Sequence, residues 1–104
     1  MARRRRDKLQ LRMAVPPEDS PTDLLRRRAR KASKRGEHRK AALVFRELIA
    51  HGGDAKTWTL LGDSLRRARR PAEAANALKQ ALYLHRQAGA PLRARTVARL
   101  LTEI

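Results

Sequence analysis

The side chains that could carry out chemistry in this chain include three histidines, which are candidate metal ligands. His38, His51 and His85 are separated by 13 and 34 residues. A zinc site needs grouped ligands, commonly two histidines four residues apart on a helix or paired cysteines. The chain has neither an HExxH motif nor any cysteine. The histidines are therefore predicted to be helix-end or packing residues, and no metal is expected.

Two serines beside charged residues are the candidate nucleophiles: Ser33 precedes Lys34, and Ser64 follows Asp63. Nucleophilic catalysis also needs a base oriented by a third group and donors for an oxyanion, and no such companions are recognisable. Residues 52–54, Gly-Gly-Asp, do not form a phosphate loop because the carboxylate would repel an anion. We expect no enzymatic activity and no cofactor.

Net charge is the strongest feature of the composition. Lysine and arginine total 26 against 10 aspartates and glutamates, a formal charge of +16. Such a chain attracts polyanions such as nucleic acid, acidic lipid or acidic protein segments, and the attraction weakens with salt. Arginine greatly outnumbers lysine and alanine is abundant, so coding bias with a solvated helix surface is an equally open interpretation.

The first 19 residues differ in composition from the remainder. They hold the basic cluster RRRRDK without an apolar run behind it, so the central region of a secretory signal is missing. Prolines 16, 17 and 21 mark a linker. Residues 1–19 are predicted to be a disordered basic arm with a Pro-rich linker. No stretch reaches the roughly 20 apolar residues of a membrane span, and a cytoplasmic protein is expected.

Helix caps, prolines and glycines divide residues 20–104, the single predicted domain, into five helical segments. Serine or aspartate caps a helix start, proline suits the first helical position, and glycine ends helices. The short breaks between segments leave no room for strands, so the fold is predicted as all-α with antiparallel neighbours. The segments begin at Ser20–Pro21, Glu37, Asp54, Pro71 and Pro91, and end at Gly36, Gly52–Gly53, about Ala68, Gly89 and about Ile104.

Each segment carries one apolar stripe at helical spacing. A one-sided helix must bury its stripe against a neighbour, so the stripes predict the core. They comprise Leu25, Ala29 and Ala32; Ala41, Phe45, Leu48 and Ile49; Trp58, Leu61, Gly62 and Leu65; Ala74, Leu78, Ala81, Leu82 and His85; and Val97, Leu100, Leu101 and Ile104.

These stripes repeat along the chain. A shift of 33 residues superposes residues of the same size class or packing role, which is close to the roughly 34-residue period of one helical-hairpin repeat. The superposed pairs are Leu25 and Trp58, Ala29 and Gly62, Ala32 and Leu65, Ala41 and Ala74, Phe45 and Leu78, and Leu48 and Ala81.

The motif Trp58-x-x-Leu61-Gly62-x-x-Leu65, followed by Ala74-x-x-x-Leu78, resembles the tetratricopeptide repeat, W-x₂-L-G-x₂-Y then A-x₃-F. The resemblance covers residues 55–88 well and residues 22–54 less closely. The departures are leucine at both aromatic positions of the second copy, Arg86 or Gln87 near the expected proline, and Arg28 at a leucine position of the first.

The resemblance implies hairpins stacked as a short right-handed superhelix: repeat one over 22–54, repeat two over 55–88, and a capping helix over 91–104. Small residues at Gly62 and Ala74 let two helices approach closely where they cross. In this family the first helices of successive hairpins line a concave groove that binds ligand segments. The third helix of this chain would therefore lie beside the first along the groove.

A basic groove is the predicted site. With the first stripe facing inward, Arg26, Arg30 and Ser33 share one flank of their helix, and the equivalent flank of the third helix adds further residues. An acidic or extended segment of a partner protein would suit such a groove, because arginine offers paired donors to carboxylates. The predicted partner-binding residues are Arg26, Arg30, Ser33, Lys56, Thr59, Asp63, Arg66 and Arg93.

Two alternatives to an acidic-segment adaptor bear on this site. The carboxylate clamp known in the family is not reproduced, because Arg30 and Leu60 stand at its asparagine positions and Asp63 adds an opposing charge. The second alternative is nucleic-acid or ribosome binding through the arm and the first helix; Tyr83 is the only aromatic outside the core for base stacking. We expect a protein-interaction adaptor that is a monomer or weak homodimer.

Overall fold

The computed structural model describes residues 20–104, and within them it contains five helices and no strand. The all-α prediction and the number of helices are therefore confirmed for this part of the chain. The predicted basic arm, residues 1–19, lies outside the described residues. The helices are α1 (Pro21–Lys34), α2 (His38–Ala50), α3 (Ala55–Arg67), α4 (Pro71–Gln87) and α5 (Pro91–Thr102).

The predicted caps determine where α1 and α3 begin. The Ser20 hydroxyl accepts the backbone N–H of Asp23 at 3.2 Å. The Asp54 carboxylate accepts both the backbone N–H of Thr57, at 2.8 Å, and its hydroxyl, at 2.6 Å. Each bond satisfies a first-turn donor that has no partner inside its helix. Pro71 and Pro91 occupy the first positions of α4 and α5, as predicted.

Three of the four turns between helices share one hydrogen-bonding pattern. In each, the residue after the helix cap has a positive φ, and the following N–H bonds to a carbonyl five residues earlier at 2.9 Å. The positive-φ residue is Gly36, Arg69 or Gly89, with φ of 77°, 61° and 66°. Gly36 and Arg69 are 33 residues apart, the offset of the sequence repeat. Arg69 therefore holds a conformation that favours glycine.

Consecutive helices pack against each other: α1 on α2, α2 on α3, α3 on α4 and α4 on α5. Alanine and leucine form most of the core, with Phe45 as its one fully buried aromatic. A first cluster of buried residues extends from α1 to α4, and a second joins α4 to α5 through Leu78, Ala81 and Val97. Trp58 packs against both clusters and connects them.

The predicted stripes agree with the observed core except at a few positions. Trp58 is only half-buried, and Ile104, placed in the stripe of α5, is 41% exposed at the end of the described chain. Ala42, Ala77 and Ala94 are buried although the stripes omitted them. Alanine is compatible with either face of a helix, so its burial depends on the neighbouring helix.

The close approach predicted at Gly62 is confirmed. A Cβ atom placed on Gly62 of α3 would lie 2.5 Å from Cγ and Cδ2 of Leu78 and 3.3 Å from the Leu78 backbone nitrogen in α4. Leu78 is 0% exposed and has no free space to move into. A side chain at position 62 would therefore force the two helices apart.

The residues that the 33-residue shift superposes also have equivalent environments. In five of the six pairs both members are buried, and the sixth pairs buried Leu25 with half-buried Trp58. The first hairpin, α1 and α2, and the second, α3 and α4, therefore bury corresponding positions. The helix starts agree with this offset within a residue, Pro21 with Ala55 and His38 with Pro71.

Candidate functional site

Four of the predicted binding residues line one cavity of about 330 Å³ between α1, α2 and α3. We call this cavity the α1–α3 groove. Arg26, Arg30 and Ser33 enter it from α1 and Lys56 from α3. The other residues that line it are Phe45, Leu48, Asp54, Thr57 and Leu60.

Helical spacing explains why these α1 residues lie together. Arg26, Arg30 and Ser33 are at i, i+4 and i+7, so they follow one edge of the helix beside its buried stripe. Lys56 and Leu60 have the same i, i+4 relation on α3. The cations are exposed and form the rim, whereas Phe45 is buried beneath them. The groove thus combines a cationic rim with an apolar floor.

Asp54 is the one acidic residue that lines the groove, and its charge is engaged by the start of α3. Its hydrogen bond from the Thr57 hydroxyl holds the pKa of Asp54 below its ordinary value, although burial opposes this, and the Thr57 backbone N–H adds to the lowering. The nearby charges of Arg26 and Lys56 lower the same pKa further. Asp54 therefore remains ionised as a helix cap and offsets one of the three rim cations.

The rim cations differ in how far they are neutralised by other residues. Arg26 Nη1 lies 3.3 Å from Asp23 Oδ1, in an exposed pair of the kind that contributes little to stability. Within residues 20–104, no carboxylate lies within ion-pair distance of Arg30 or Lys56. The groove consequently carries a net positive charge that a ligand carboxylate could approach.

Thr59 is placed outside the groove, in the packing between α3 and α4. Its hydroxyl donates to the Ala55 carbonyl at 2.8 Å and lies 3.1 Å from Nε2 of His85, which is 5% exposed. Because a hydroxyl has one proton, Nε2 of His85 must be the donor in the second bond, which assigns the imidazole tautomer. The Thr59 hydroxyl is thus engaged within the fold.

Asp63 and Arg66 form a second arrangement outside the groove. Asp63 Oδ1 accepts from Arg66 Nη2 at 2.7 Å, and Asp63 Oδ2 accepts from Arg67 Nε at 3.1 Å. Arg66 Nη1 also lies 3.6 Å from Glu103 Oε2, just beyond α5. Arg66 therefore connects α3 to the end of the last helix. Arg93 is exposed on α5 and does not line the groove.

The sequence reasoning missed the floor of the groove. Phe45 and Leu48 belong to the stripe of α2 and were assigned to the core alone, whereas both also line the cavity. Leu60 is 40% exposed and lies off the stripe of α3, four residues after Lys56. An exposed leucine one turn from a rim cation was the available signal for this surface.

Neither a metal centre nor a membrane span is present in the described part of the chain. Residues 20–104 contain no group of three or more His, Asp or Glu side chains placed to hold an ion. None of the five helices has the length and apolar character needed to cross a bilayer. Comparison of the chain with models of known protein families, with curated proteins and with solved structures gave no match. The resemblance to the tetratricopeptide repeat therefore rests on the residues of this chain alone.

Proposed function

We propose that this chain is a cytoplasmic protein-interaction module of the tetratricopeptide kind, and that its α1–α3 groove binds an acidic, extended segment of a partner protein. The observation that carries the proposal is the grouping of Arg26, Arg30 and Lys56 around an apolar floor in one cavity. A site with few apolar contacts would attract anions without selecting among them. This cavity offers both kinds of contact.

The repeated architecture supports the choice of class. Two hairpins bury corresponding positions, and the turns at Gly36 and Arg69 have the same hydrogen bonds. Helix α5 packs on α4 and contributes Val97 to the second core cluster, which suits a capping role. Its exposed residues include Arg95 and Arg99, so the outer face is polar as a terminal helix requires.

The chemistry of the groove indicates what the bound segment should contain. Arg30 can donate two parallel hydrogen bonds to one carboxylate. An apolar side chain next to that carboxylate would contact Phe45, Leu48 and Leu60 and gain about 25 cal/mol per Å² of apolar surface removed from water. The predicted ligand is therefore a segment with an aspartate or glutamate beside an apolar residue.

Selection from a random peptide display library tests this proposal with the full-length protein. We expect enrichment of acidic residues adjacent to apolar ones, and binding of the selected peptide that falls when Arg26→Gln and Arg30→Gln are combined. Losing a charged contact desolvated under a ligand costs about 2–5 kcal/mol. The glutamines keep much of the side-chain length, so circular dichroism and melting temperature should change little.

The matched control combines Arg95→Gln with Arg99→Gln. These arginines are exposed on α5 and have the same i, i+4 spacing, so the control removes the same charge from another helix. Leu60→Ala removes apolar floor without changing charge and should also weaken peptide binding. Equal weakening by both arginine pairs, with no effect of Leu60→Ala, would mean that overall charge attracts the peptide. Capture that disappears on nuclease treatment would favour the nucleic-acid alternative.

A further inference from the structure

We propose that the opposite flank of α1 is a second binding surface, which takes the phosphodiester backbone of a nucleic acid independently of base sequence. Its cavity of about 410 Å³ lies between the C-terminal half of α1 and the start of α2. We call it the α1–α2 cleft. It is lined by Arg28, Lys31, Ala32, Arg35, Glu37, Lys40 and Val44.

The rotation of residues around α1 separates this cleft from the α1–α3 groove. At about 100° per residue, Arg26 and Arg30 lie on one side of the buried stripe, and Lys31 and Arg35 lie on the other. The buried line through Ala29 stands between the two flanks. The two cavities share no lining residue, so each is a surface in its own right.

The charges of the cleft are poorly balanced. It places four cations near one carboxylate, Glu37, which lies 3.8 Å from Lys40. Among residues 20–104, no carboxylate comes within ion-pair distance of Arg28, Lys31 or Arg35. These side chains therefore repel each other across the cleft, and a polyanion with closely spaced charges would relieve that repulsion.

The remaining lining residues favour a nucleic acid over a peptide or a bilayer. The apolar part of the wall consists of buried Ala32 and half-buried Val44, so no large exposed apolar side chain is available to enter a membrane or to hold a peptide side chain. No aromatic residue lines the cleft for base stacking. Arginine and lysine contacts to phosphates alone predict binding that does not depend on sequence.

The test measures binding of the full-length protein to a short, labelled DNA duplex by fluorescence anisotropy over a range of salt concentrations. Each phosphate contact contributes about 0.9 to the slope of log K against log salt concentration. Combining Lys31→Gln with Arg35→Gln should therefore reduce the magnitude of the slope by about 2. The spacing of this pair, i, i+4, matches that of Arg95→Gln with Arg99→Gln, which should leave the slope almost unchanged.

Further arms of the experiment separate this proposal from the groove and from other polyanions. A duplex of unrelated sequence should bind with the same affinity. The groove pair Arg26→Gln and Arg30→Gln should lower peptide binding but retain the duplex slope, so failure of either proposal can be recognised separately. Equal slopes for all three double variants would overturn the cleft proposal. So would binding to anionic phosphatidylserine vesicles that depends on Lys31 and Arg35 more than duplex binding does.

Discussion

Replacement of Gly62 by alanine should destabilise the protein, although alanine is the better helix former. The change puts a methyl group 2.5 Å from Cγ and Cδ2 of Leu78, well inside the contact distance of two carbons. Leu78 cannot turn away, because it is 0% exposed, and its own backbone nitrogen is only 3.3 Å from the new atom. Relief of the contact therefore requires α3 and α4 to separate.

Two free-energy terms of opposite sign determine the expected change. Alanine in a helix interior is favoured over glycine by about 1 kcal/mol. Overpacking a filled core costs about 1–3 kcal/mol, and the rigid position of the Leu78 Cγ atom favours the upper part of that range. We expect the free energy of unfolding to fall by about 1–2 kcal/mol. The melting temperature should fall by about 4–8 °C for each kcal/mol.

Urea denaturation followed by circular dichroism, with a stabilising osmolyte present, measures this change in two backgrounds. In the Leu78→Ala background the obstructing atoms are gone, so Gly62→Ala should become stabilising by about 1 kcal/mol. The effect of one substitution thus reverses sign. A loss of equal size in both backgrounds, or a Gly62→Ala protein more stable than wild type, would refute the close contact as its cause.

Three further changes test local features of the fold by denaturation. Asp54→Ala should cost about 1 kcal/mol at pH 7; because the pKa of Asp54 is lowered in the folded state, this cost should shrink as the pH falls below about 4, where protonation removes the charge in the wild type. Thr59→Val leaves the buried His85 N–H without an acceptor and should cost about 1–3 kcal/mol, whereas Thr59→Ser should cost far less. Arg69→Gly should stabilise by up to about 1 kcal/mol, because φ at this position is 61°.

The helix boundaries could be predicted because they depend on interactions within a few residues. Ser20 and Asp54 cap the helices that follow them through bonds to residues three positions later. Proline fixes the start of α4 and α5 in the same local way. The turn at Arg69 was less accessible to prediction, since no glycine marks it. Its positive φ follows from the equivalence with Gly36 33 residues earlier.

About half of the candidate site followed from the sequence, and the remainder depended on tertiary contacts. The α1 flank was placed correctly because its residues flank a clear stripe. On α3 the predicted flank was too wide: Lys56 and Arg66 differ by about 80° around the helix axis. Lys56 faces α1 as a result, while Arg66 reaches Glu103 near α5. Which neighbour each residue meets was not encoded in the spacing.

The small side chains of the core explain why charge has such influence on this surface. Ala29 and Ala41 are 0% exposed, and alanine at such positions lets neighbouring helices approach closely. Closely packed helices leave shallow clefts between them, so the long stems of arginine and lysine supply much of the wall. On α1 these stems flank the buried stripe on both sides and thereby line two separate cavities. The distinction between the two surfaces then depends on what lies between the cations: Phe45 and Leu60 in the groove, and no large apolar side chain in the cleft.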